Sequence, residues 1–124
     1  MKNLLLIFTG GGIGSLLRFG LSRFINKMSF SHFPYGTFFV NIIGCFLIGF
    51  IIFYTDRFGD KAEPWRFFLA TGLCGGFTTF STFSLENAQL LNDQRILVFL
   101  AYTIGSVAVG VLATYGGLLL AKNM

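Results

Sequence analysis

Residues able to do chemistry are sparse in this chain, and most gather in one stretch. Gly72-Leu73-Cys74-Gly75-Gly76-Phe77-Thr78-Thr79-Phe80-Ser81-Thr82-Phe83-Ser84 places two adjacent glycines before five hydroxyl residues in an otherwise apolar run. This is a poor continuous helix, and it suggests a break between Gly75 and Thr79 at mid-membrane depth. Irregular backbone there is tolerated only when buried in protein or lining a wet cavity. Carbonyls freed by such a break could bind a cation. The same residues could equally form a glycine packing notch, with hydroxyls bonded back to their own helix.

Other candidates surround this stretch. Phe80 and Phe83 are three apart and share a helix face. The positive edge of an aromatic ring can face an anion, although packing and lipid contact are the ordinary uses of Phe. Ser81 falls between them on an adjacent face. Thr82 is four residues before Glu86, where it would either serve an anion path or cap the carboxylate. Tyr102, Ser106, Gly110 and Thr114 recur every four residues along one helix face, as a line of donors or as hydrogen-bonding glue between helices. Asn41 puts one amide in an apolar run and needs partners at that depth. Arg18 is a costly charge, either marking an ion pathway or snorkelling to an interface. Cys45 and Cys74 read as small buried residues without metal-ligand spacing, and His32 as a loop residue. The uncharged runs hold no acid, and Glu86 lies at the end of one. A proton-coupled exporter would need an intramembrane carboxylate. Hydroxyls, an amide, an arginine and ring edges suit an anion better. No nucleophile, base and orienting group form an enzyme constellation, and no nucleic-acid partner is expected.

The elements that must position these residues follow from composition. Of 124 residues, 54% are hydrophobic and 11% charged, against about 25% charged in a soluble domain. The apolar residues fall in blocks. Phe33–Thr55, Phe67–Leu85 and Ile96–Ala121 are uncharged runs of 23, 19 and 26 residues, and Asn3–Leu17 is followed by Arg18 and further apolar residues. A spanning helix needs about 20 such residues. The expectation is an all-α membrane protein, one transmembrane domain over residues 1–124, with four helices at about 3–22, 33–55, 67–85 and 96–121. Gly10-Gly11-Gly12 and the lack of a cleavage site favour a retained first helix over a signal peptide. Connections are too short for a soluble domain. Lys2, Arg57, Lys61, Arg66 and Lys122 would lie on one side of the membrane, and Arg18, Arg23, Lys27 and Arg95 on the other. Five basic residues against four is a weak orienting bias, open to one orientation or to insertion both ways. A thin four-helix bundle has little interior for a pathway, so transport would call for a symmetric partner copy.

Three pieces, in order, resemble the Fluc (CrcB-type) fluoride channels: Gly11-Gly12-Ile13-Gly14 with Arg18, Gly36-Thr37 through Asn41 and Gly44, and Gly75 to Phe83. The resemblance covers essentially the whole chain. It implies an antiparallel, dual-topology homodimer in a bacterial inner (plasma) membrane, the third helix of each copy broken. It implies two pores that passively export fluoride and confer fluoride resistance. By this similarity Phe80 and Phe83 line the path, with Asn41 near them and Arg18 at a vestibule. Ser81, Thr82, Tyr102 and Ser106 supply hydroxyls, Glu86 lies near an exit, and Thr114 sits at the opposite vestibule. Backbone carbonyls of Gly75 and Thr78 from both copies would hold a central structural sodium ion. Two other readings remain open on residues alone: a proton-coupled four-helix multidrug exporter, and a membrane assembly subunit that transports nothing.

Overall fold

A backbone surrounded by lipid must satisfy its own N–H and C=O groups, and an α-helix does so within one segment. The computed structural model describes residues 1–124 and is helical almost throughout, with no strands. Three helical stretches are long and apolar enough to cross a membrane: Lys2–Lys27, Tyr35–Asn92 and Ile96–Lys122. The first is helix α1 (Lys2–Lys27) and the last is helix α6 (Ile96–Lys122). The 58-residue middle stretch is divided. Helix α2 (Tyr35–Thr55) ends in a 3-10 turn over Asp56–Lys61. Helix α3 (Ala62–Arg66) then runs through a π-helical segment, Phe67–Cys74, into the short helix α4 (Gly75–Phe77). Helix α5 (Phe80–Asn92) follows a break.

That break is narrower than the glycines suggest. Gly75 and Gly76 stay helical, and only Thr78 (φ −85°, ψ 159°) and Thr79 (φ −151°, ψ 119°) are extended. The glycines serve a different purpose. A Cβ on Gly76 would collide with the Gly11 carbonyl, one on Gly14 with the Leu73 carbonyl, and one on Gly10 with the Phe68 carbonyl. Helix α1 and the π-helical segment therefore touch backbone to backbone, as small residues permit. A second seam joins α2 and α6, where Gly49 abuts the Thr114 carbonyl and Gly117 the Phe46 carbonyl.

The helix ends are tied by side chains. Asn26 Oδ1 accepts the Gly36 N–H at 2.9 Å, so a residue of α1 caps the start of α2. Arg66 donates to Thr55 Oγ1 and the Ile52 carbonyl and pairs with Asp56. Arg57 donates to the Ala121 carbonyl near the end of α6. Between α5 and α6, Gln94 takes a left-handed conformation (φ 59°) while the Arg95 N–H closes onto the Leu90 carbonyl at 2.8 Å. Only 20 of 124 residues are buried. Phe8, Leu16, Leu97 and Leu112 all point outward. So much exposed apolar surface suits lipid or another protein.

Candidate ion pathway

The break leaves backbone groups without helical partners, and their fate defines the site. The Thr79 N–H would continue the helix by donating to the Gly75 carbonyl. It donates instead to Asn41 Oδ1 at 2.8 Å, and Asn41 Nδ2 donates back to the Thr79 carbonyl at 3.0 Å. One amide thus satisfies both polar groups of a single residue, which answers the partner requirement read from Asn41 in the sequence. Thr79 also caps α5, its Oγ1 accepting the Thr82 N–H at 3.2 Å. Upstream of the break, the Gly76 carbonyl accepts from Arg18 Nε at 3.1 Å and Ser15 Oγ at 3.5 Å. Arg18 is half-buried, its guanidinium anchored on the broken helix.

Helix α5 carries the aromatic pair. The Phe80 and Phe83 rings lie 5.7 Å apart between centroids, and Phe83 lies 4.9 Å from the ring of Tyr102 on α6. Phe80 is 77% exposed on the single chain, whereas Phe83 is half-buried. Thr82 does not cap Glu86; its hydroxyl accepts from Thr79 Oγ1 at 3.1 Å. Ser81 is exposed, with its hydroxyl 3.4 Å from the same Thr79 oxygen. Glu86 is held by other elements. Thr37 on α2 donates to Oε2 at 3.1 Å, and the fully buried Tyr102 donates to Oε1 at 2.9 Å.

A cavity of about 430 Å³ opens beside the break. Asn41, Thr78, Thr79, Phe80, Phe83 and Ser106 are among its lining residues. A second cavity of about 480 Å³ continues along α6 past Ser106, Gly110 and Thr114, and Cys45 borders both. Ser106 Oγ is buried and makes no hydrogen bond within the chain. Thr114 bonds back to the Gly110 carbonyl at 3.1 Å. The structure therefore brings Asn41, Phe80, Phe83 and Ser106 to one cavity, with Ser81 and Thr82 around the cap beside it. Tyr102 and Glu86 are joined to this group through Phe83, and Thr114 lies in the second cavity. Thr37, Thr79, Ser15 and Asn26 were not singled out as site residues in the sequence. Thr37 had a signal, since it stands four residues before Asn41 on the same face of α2.

The carbonyls of Gly75 and Thr78 suit a hard cation in donor type. A backbone oxygen is the ligand such ions take, and Gly75 is exposed on the chain surface without its helical N–H donor.

Long apolar helices, an outward apolar surface and a broken helix repaired by polar side chains define a small multi-pass membrane protein. Residues 5–118 match the family described as CrcB-like protein, Camphor Resistance (CrcB), and the chain belongs to that family. A Flavobacterium psychrophilum protein named fluoride-specific ion channel FluC is 47% identical over 124 residues, covering all of both chains. A Phocaeicola vulgatus protein of the same name is 50% identical over 118 residues, 95% of this chain and 97% of the relative. A Nitrobacter hamburgensis protein named fluoride-specific ion channel FluC 2 is 40% identical over 122 residues, 98% of each chain. These relatives are named as channels, not as enzymes.

Proposed function

We propose that this chain is a fluoride-selective channel that passively exports fluoride from the cytoplasm of a bacterium across its plasma membrane. The observation that carries this reading is full-length identity of 47% to a relative named a fluoride-specific channel. In this reading the chain crosses the membrane four times and pairs with an oppositely inserted copy, making two pores. Phe80 and Phe83 line each path, with Asn41, Ser81, Thr82, Tyr102 and Ser106 offering donors. Arg18, Glu86 and Thr114 serve its ends.

Fluoride is small and strongly hydrated. A narrow path must replace its water with hydroxyls, amide hydrogens and positive ring edges, while binding weakly enough to let it leave. Ser106 Oγ, which makes no hydrogen bond within the chain, is the donor freest to meet a passing anion. The ring edges of Phe80 and Phe83 add positive character without a fixed charge. Carbonyls of Gly75 and Thr78 from both copies would hold a structural sodium ion at the dimer centre. Bound there, such an ion would supply positive potential to the neighbouring anion path.

Fluoride efflux from liposomes containing the purified protein tests the reading. Wild type is expected to release fluoride, and Phe80→Ile and Phe83→Ile each to reduce release by at least tenfold. Monodisperse wild-type protein that releases none sinks the channel reading. Phe→Ile variants that conduct like wild type remove both rings from the path.

A further inference from the structure

Helix α5 has a mechanical problem. At its start the chain is extended through Thr78 and Thr79, so no run of helical hydrogen bonds carries register from α4. At its end the chain turns back through left-handed Gln94. The angle and register of α5 must therefore be set by side chains. Asn41 holds the first residue of the cap at Thr79. Farther along, Glu86 reaches Thr37 and Tyr102. A carboxylate accepts from hydroxyls over a wide range of directions, so this contact alone permits some rolling of α5 on α6.

The next residue supplies what is missing. Asn87 is 7% exposed, and its Oδ1 accepts from Thr103 Oγ1 on α6 at 3.2 Å. Adjacent residues of a helix project about 100° apart. Glu86–Tyr102 and Asn87–Thr103 therefore flank the line of contact between α5 and α6. Two bonds on opposite sides of that line resist rotation that either one alone would allow. We infer that the Asn87–Thr103 hydrogen bond pins the register of α5 on α6, making both positioning residues that act on the ion path through the Glu86–Tyr102 pair. This rests on the proposed channel function.

The test is fluoride efflux from liposomes, with size-exclusion profiles of each variant. Thr103→Val and Asn87→Leu each slow efflux about fivefold, the factor one net hydrogen bond is worth. Thr103→Ser keeps the donor and the wild-type rate. In a Tyr102→Phe background, where the pair being positioned is already broken, Thr103→Val adds no further loss. Where Thr103→Val is not monodisperse, Thr103→Ala removes the same donor without bulk and carries the same comparison. A conducting wild type with unaltered Thr103→Val overturns the pin alone, as does a Thr103→Val loss that multiplies in full with that of Tyr102→Phe. Wild-type protein that releases no fluoride overturns the channel reading and the pin's role with it.

Discussion

The two sides of the broken helix are held by opposite means. On the upstream side, α1 meets the π-helical segment through glycines whose missing Cβ atoms let backbone touch backbone. On the downstream side, α5 is fastened by Asn41, Thr37, Tyr102 and Thr103, all through polar side chains. Glycine contacts are steric and unforgiving, because a carbonyl cannot swing aside as a side chain can. Side-chain hydrogen bonds are directional but adjustable, since a rotamer change can re-aim them. The rigid seam fixes where the break lies. The adjustable clamps surround the residues proposed to carry the anion.

This contrast predicts its largest effect at Gly14. A Cβ there would strike the Leu73 carbonyl, while one on Gly12 in the same helix would meet nothing within 4 Å. Gly14→Val is expected to yield no monodisperse protein, since overpacking a backbone contact costs about 3 kcal/mol or more. Gly12→Val should purify like wild type. Equal behaviour of the two variants on size exclusion would mean the seam is not rigid.

Asn41→Leu attacks the other side and is expected to be milder. It leaves the N–H and C=O of Thr79 without their protein partner, but Thr79 is only half-buried and borders the cavity, so the cost stays at the low end, about 1 kcal/mol for each group. The protein should still fold, with a lower unfolding temperature and impaired efflux, because α5 loses its tether at the break. A thermal melt and efflux rate both at wild-type values would show that Thr79 finds other partners and that the clamp is dispensable.

These two sides also differ in how readily a sequence shows them. The helices were legible because runs such as Ile96–Ala121 leave no alternative to a helix in lipid. The π-helical segment Phe67–Cys74 was not, since nothing in its composition separates it from an α-helix; its backbone lies against α1 at Gly10 and Gly14. The break was legible as the region Gly75 to Thr79 but drawn too wide, because glycine has two uses. Low helix propensity pointed to a break, and close packing against Gly11 is what the structure uses. The broken residues are the threonines, which can cap the next helix as glycine cannot. Among candidate site residues, Asn41 and Ser106 stood out as polar side chains in apolar runs, whereas Phe80 and Phe83, ordinary by type there, were marked by the family resemblance; all four border one cavity. Thr82 and Glu86 did not pair as their four-residue spacing allowed. A partner on the same helix competed with hydroxyls from α2 and α6 that spacing within one segment cannot reveal.

The smallest expected effects separate donors within the polar stripe of α6. Ser106 and Thr114 both carry hydroxyls, yet their bonding differs. Ser106 Oγ makes no hydrogen bond within the chain, whereas Thr114 already donates to the Gly110 carbonyl. A buried hydroxyl that has no partner costs the folded chain its desolvation, so Ser106→Ala should leave the unfolding temperature unchanged or raise it. It should still slow efflux several-fold, because the lost donor was available to the ion. Thr114→Val should slow it less, about twofold or under, since its hydroxyl would first have to leave a carbonyl worth about 1 kcal/mol. The ranking decides whether bonding state or mere position along α6 governs a donor's share in conduction. Equal losses at both sites would favour position, and a larger loss at Thr114 would place the tighter part of the path in the second cavity.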